Sequence, residues 1–192
     1  MSAAAGFGVL ALIGYSAGFR LNVSASAPAG VWRVDDVALP VSRGATVAIC
    51  PPDIELVTRL RDAGHIAADW GVFRWIAPKA CPSATVPFLK PVVAVEGDTV
   101  EVTRSAISVN GHPLRNSGSA DLIFGIPAVK EGRYVVQRDQ LWVVSSYTDH
   151  SFDSRYFGPL HQHDVRGIAS PLVVRGDSAA IFSDRSSTHD RP

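Results

Sequence analysis

The chain has 192 residues, a formal net charge of zero and a sequence pI near 7. That length suits one domain with a short appendage and is ample for a real core. The neutral balance argues against a nucleic-acid binder, which needs surplus Lys and Arg to neutralise phosphates, and 46% hydrophobic against 19% charged residues excludes a mostly disordered chain.

From Ala3 to Phe19 the chain carries no charge, and Arg20 closes the run. As a helix these residues reach about 25 Å, the short end of a bilayer span. Gly6, Gly8, Gly14 and Gly18 weaken a soluble helix but are tolerated in lipid. A membrane anchor, the apolar stretch of a signal peptide and a buried helix all suit such a run. Residues 1–19 are therefore expected to be an anchor or signal segment. No basic cluster precedes it and Arg20 lies on its far side, so charge alone does not set an orientation.

Residues 20–30 are small and polar and end in Pro and Gly, which predicts an extended segment. Short apolar runs then predict strands at Val31–Val34, Ala45–Ile49, Val92–Val95, Thr99–Thr103, Ala106–Val109, Arg133–Val136, Leu141–Val144 and Gly167–Val174. Asn110-Gly111 is a strong hairpin signal, and Gly97-Asp98 marks a turn. One helix is expected at Asp53–Ala63, with Gly64 as its stop. The tail from Gly176 is polar and reads as frayed. The predicted class is mostly β, antiparallel, with residues 20–175 as one domain and 176–192 as a tail.

Cys50 and Cys81, the only two cysteines, flank that helix. In a cytosolic protein they would be inert core thiols; behind an export segment they read as a disulfide closing a loop worth about 3–4 kcal/mol. His161-Gln162-His163-Asp164 has no further ligand group at metal spacing and reads as a solvated loop. No metal and no cofactor are expected.

The chain has only three lysines. One of them, Lys90, lies in the apolar run from Val86 to Val95. Either it snorkels at a strand end, or burial lowers its pKa from about 10.4 towards 7–8 and makes it a general base. A neutral amine can take the proton of a serine hydroxyl. In Asn22-Val23-Ser24-Ala25-Ser26-Ala27-Pro28-Ala29-Gly30, two serines alternate, and in extended chain both face the same side. One hydroxyl could attack a carbonyl while the other, with the Ser26 backbone N–H, holds the oxyanion. The same composition also suits a plain linker. A third patch, Asp149 to Gly158, places Asp153 and Arg155 two apart and offers Ser151 as a partner for an amine; alone, it suits a solvated turn.

Together the three patches, in this order after an apolar N-terminal segment, resemble the type I signal peptidases, with their Ser-Lys dyad. The resemblance extends over most of residues 1–174. It is strongest to the TraF-like pilin-processing peptidases of conjugative transfer, whose cysteine pair it shares in Cys50-Pro51-Pro52 and Cys81-Pro82. The resemblance implies Ser26 as nucleophile, Lys90 as general base and Ser24 completing the oxyanion hole with Ser26. It implies Ser151 as the residue orienting the lysine, Asp153 and Arg155 as a supporting pair, and a direct part in activity for Asp153. It also implies an acyl-enzyme, released by water or intercepted by an amine to give a cyclic pilin.

The implied partners are an exported, pilin-like precursor and inner-membrane lipid, with the catalytic domain in the periplasm and no nucleic acid. Two departures stand out. General signal peptidases carry Gly-Asp-Asn where this chain has Ser145-Ser146-Tyr147, and Ala27 replaces a bulkier apolar residue after the nucleophile. The rivals are a self-cleaving repressor-type Ser-Lys protease, which carries a DNA-binding module instead of an apolar segment, and a non-catalytic envelope component of a conjugation or type IV secretion assembly.

Overall fold

Short β-branched runs punctuated by turn residues favour strands over helices. The computed structural model, which describes residues 14, 17–36, 39–68, 81–119, 122, 123 and 125–175, is accordingly an antiparallel β structure. Its seven-stranded sheet runs in the order β1 (Phe19–Asn22), β2 (Gly30–Asp35), β13 (Val165–Val174), β3 (Thr46–Ile49), β4 (Phe88–Val95), β11 (Gln140–Val143), β12 (Leu160–His161). A four-stranded sheet runs β10 (Gly132–Val135), β5 (Thr99–Val102), β6 (Ile107–Val109), β7 (His112–Pro113). β8 (Leu122–Ile123) pairs with β9 (Ile126–Pro127). The described helices include α1 (Glu55–Asp62), the single turn α2 (Ser154–Phe157) and a 3-10 turn at Gln162–Asp164.

Every expected strand is present, and β4 begins four residues before its predicted start at Val92. Its six central residues, Leu89 to Ala94, are all buried, the pattern of a strand covered on both faces. Pro91 sits inside it where β4 changes neighbours: β3 pairs with Phe88 to Pro91, and β11 pairs with Val92 to Val95. The missing N–H of proline falls at that hand-over, beside an irregular register. Asn110 and Gly111 both have positive φ and close the β6–β7 hairpin as expected.

Three local expectations change. The 20–30 segment is not uniformly extended: Phe19–Asn22 is strand β1, paired with β2, and Ser24 to Ala27 is a turn. Arg20 and Asn22 hid the strand, because an edge strand can carry polar residues without an apolar alternation. Phe19 thus belongs to the sheet, while the rest of the expected anchor, Gly14, Ala17 and Gly18 excepted, lies outside the described residues. The tail 176–192 also lies outside them. The helix starts at Glu55, with Ile54 at its N-cap, because the Ile54 N–H bonds back to the Pro52 carbonyl. It stops at Gly64 as expected, in the left-handed region. Among the described residues no helix is long and apolar enough to cross a membrane.

Cys50, at the end of β3, and Cys81, ahead of β4, are joined by a disulfide. Packing then positions the Ser24–Pro28 turn. Ala27 and Trp32 are buried with Ala48, Leu89 and Ala169, and the Trp32 indole donates to the Pro28 carbonyl at 2.9 Å. Gly30 opens β2 so close to β13 that a Cβ would run into the Val173 carbonyl oxygen. The glycine that ends that segment is therefore a packing requirement.

Candidate active site

Lys90 is drawn into the interior by the strand that carries it and is only 2% exposed. Burial lowers its pKa from 10.5 to about 8; the charge of Asp153 opposes the drop and that of Arg155 adds to it. Its Nζ donates to Ser151 Oγ at 2.6 Å, and Ser151 Oγ donates to Ser26 Oγ at 3.2 Å. A buried amine and the Ser26 hydroxyl are thus linked through one intervening hydroxyl. Because hydroxyls rotate and both donate and accept, the same chain can run in reverse when the amine is neutral.

Asp153 and Arg155 are both fully buried. Asp153 Oδ1 accepts from Arg155 Nε at 2.9 Å and from the Arg155 backbone N–H at 3.2 Å, capping α2. Its Oδ2 accepts from Arg155 Nη2 at 2.9 Å and from the Ser145 backbone N–H at 3.0 Å. The guanidinium also reaches the carbonyls of Gly118, Asp149, Ser145, Thr148 and Ser151, at 3.0 to 3.3 Å. Burial works against its charge, but the hydrogen bond and charge of Asp153 more than offset this and raise its pKa. The pair knits the 145–153 loop to the 118 region and presents Ser151 to Lys90. Both carboxylate oxygens are occupied by this structural work.

The Ser24–Pro28 turn has its own clamp. Asn22 Nδ2 donates to the carbonyls of Ala27 at 2.9 Å, Pro28 at 3.1 Å and Ser24 at 3.3 Å. Asn22 Oδ1 accepts from the Ser24 hydroxyl at 2.8 Å and from its N–H at 3.2 Å. Opposite it, Ser145 Oγ donates to the Ser26 carbonyl at 2.7 Å.

A sequence profile described as Signal peptidase, peptidase S26, matches residues 4–174. The chain belongs to the peptidase S26 signal peptidase family. It is 33% identical over 167 residues to the conjugal transfer protein TraF of Agrobacterium fabrum, covering 86% of each chain. It is 30% identical over 169 residues to a plasmid transfer protein TraF of Escherichia coli, covering 86% of this chain and 89% of that one. Among solved structures, a signal peptidase I of Enterococcus faecalis aligns at TM-score 0.37 and 17% identity, over 69% of this chain and 98% of that one.

Of the residues the family resemblance singles out, the structure gathers Ser26, Lys90, Ser151, Asp153 and Arg155. Ser24 sits in the same turn, but its hydroxyl is engaged by Asn22. The expectation that Ser24 and Ser26 share one face of an extended strand fails, because residues 24–27 turn. Two participants went unread in the sequence. Asn22 opens the first patch and was legible as its first residue; Ser145 stands at a departure from the signal peptidase pattern.

Proposed function

We propose that this member of the signal peptidase family is a membrane-associated serine endopeptidase with Ser26 as nucleophile and Lys90 as general base. It cleaves the signal or pro-segment of an exported precursor. The observation that carries this reading is the buried Lys90 amine, with its pKa near 8, one hydroxyl away from Ser26.

Neutral Lys90 accepts a proton through Ser151 as Ser26 Oγ attacks the scissile carbonyl. The Ser26 N–H and the Ser24 hydroxyl, released from Asn22, stabilise the oxyanion. Lys90 returns the proton to the leaving amine, and the Ser26 acyl-enzyme is hydrolysed by water or intercepted by an amine to give a cyclic product. Asp153 acts here as a positioning residue, since its oxygens hold Arg155 and Ser145.

The named TraF relatives support a conjugative, pilin-like precursor as substrate. The apolar run before Arg20 supports attachment to the inner membrane, and the Cys50–Cys81 disulfide supports an oxidising compartment, the periplasm, for the catalytic domain. A membrane-held precursor presents its cleavage bond near the lipid surface, so the bilayer shares in orienting the two chains.

The test is turnover of a fluorogenic peptide with an Ala-x-Ala cleavage site by the full chain. Ser26→Ala is expected to abolish turnover while the circular dichroism spectrum is retained. The wild-type rate should rise with pH through a midpoint near 8, as Lys90 loses its proton. Appreciable turnover by folded Ser26→Ala would overturn the assignment.

A further inference from the structure

Ser145 occupies an unusual place between the buried ion pair and the nucleophile. Its backbone N–H donates to Asp153 Oδ2 at 3.0 Å, and its carbonyl accepts from Arg155 Nη2 at 3.3 Å. Both main-chain groups of one residue are thus held by the two members of one ion pair. Its side chain points the other way in the network, donating to the Ser26 carbonyl oxygen at 2.7 Å across 119 residues of sequence. Ser145 is fully buried and Ser26 half-buried, so the bond lies largely out of bulk water.

We propose that Ser145 is a positioning residue that transmits the Asp153–Arg155 pair to the nucleophile, fixing the Ser26 peptide unit so that its hydroxyl meets Ser151 and its N–H meets the oxyanion. This rests on the reading of Ser26 as nucleophile. The Ser26 carbonyl lies in one rigid plane with the Ala27 N–H, so holding its oxygen limits ψ of Ser26 and the placement of the Cα that carries the hydroxyl and the N–H. Anchoring that oxygen limits the swing of the Ala25-to-Ala27 turn. The partner clamp, Asn22, grips the carbonyls of Ser24, Ala27 and Pro28 but not that of Ser26. Ser145 therefore supplies the bond that Asn22 leaves unmade. A glycine here, as in the general signal peptidases, has no hydroxyl to give. The tie gives a route by which Asp153 affects the reaction without touching a reacting atom.

Removing the hydroxyl leaves the backbone bonds to Asp153 and Arg155 in place; besides the tie it removes one longer bond, from the Tyr147 N–H to Ser145 Oγ at 3.3 Å. In the full chain, with the same fluorogenic peptide, Ser145→Ala and Ser145→Gly are expected to lower kcat by about 10- to 100-fold, the scale of a small misplacement. KM should stay within about twofold and the pH midpoint should stay near that of the wild type, because Lys90 and Ser151 are untouched. Ser145→Thr should restore most of kcat.

Adding Ser145→Ala to Asp153→Asn should cost less than the product of the two single losses, because both act through one link. Full kcat in folded Ser145→Ala, or losses that multiply independently, would overturn the proposal. So would unfolding of both Ser145→Ala and Ser145→Gly, which would make the hydroxyl structural. Inactive Ser26→Ala beside fully active Ser145→Ala would reject the tie and leave the protease reading standing; active Ser26→Ala would reject that reading first.

Discussion

The strand around Lys90 and the turn around Arg155 each bury a cation, and they handle it in opposite ways. Arg155 is surrounded by acceptors: a bidentate carboxylate and a ring of backbone carbonyls satisfy its planar fork of donors. Lys90 has the Ser151 hydroxyl and the Phe88 ring, whose centroid lies 5.7 Å from Nζ. Its apolar strand offers little else. One site keeps its charge and becomes a scaffold; the other is pushed towards neutrality and becomes available for chemistry. Burial alone does not decide the fate of a charge. The number and polarity of its partners do.

The contrast can be broken most sharply at Lys90 itself. Lys90→Met should reduce peptide turnover by about a thousandfold or more, and Lys90→Arg should fare no better, since guanidinium stays protonated. Comparable activity in either variant, measured as kcat/KM at pH 8, would remove the distinction between the two cations.

Arg155→Met should act chiefly on stability. It strands the fully buried Asp153 carboxylate and should cost about 3–5 kcal/mol, read as a lower urea midpoint. A midpoint unchanged from wild type would show that the pair is no scaffold.

The next effect has the opposite sign. The folded pKa of Lys90 lies below its unfolded value, so below pH 8 both states hold the proton and the folded state bears a penalty of about 3 kcal/mol. Between about 8 and 10.5 the unfolded chain binds more protons, and stability rises with pH until the penalty has gone. Lys90→Met should therefore flatten that rise and match or exceed wild-type stability at pH 7, in urea titrations across the window. A Lys90→Met variant that keeps the wild-type slope would assign the proton uptake elsewhere.

The smallest effect on stability sharpens the comparison. Ser151→Ala removes the hydroxyl through which Lys90 reaches Ser26, so turnover should fall steeply; the ammonium also loses its acceptor, so the midpoint of the residual pH–rate profile should move to lower pH. Stability should fall by only about 1 kcal/mol. A midpoint that moves upward instead would mean that Ser151 supports the neutral amine.

The sequence by itself determined the class of fold, the apolar run that holds Lys90, the Asn110-Gly111 hairpin and the order of the three patches. These are local signals: alternation, turn chemistry and an amine in an apolar run are all legible within about ten residues. The Cys50–Cys81 pairing was legible because no other cysteine competes.

Only the tertiary structure decided that Ser151 stands between Lys90 and Ser26, that Asp153 has no oxygen to spare, and that Asn22 and Ser145 grip the Ser24–Pro28 turn from two sides. Those contacts bridge segments up to 125 residues apart. No local pattern records them, because a hydroxyl or an amide has the same identity whether it faces water or a distant carbonyl. Chain folding selects the partner, and the partner sets the chemistry.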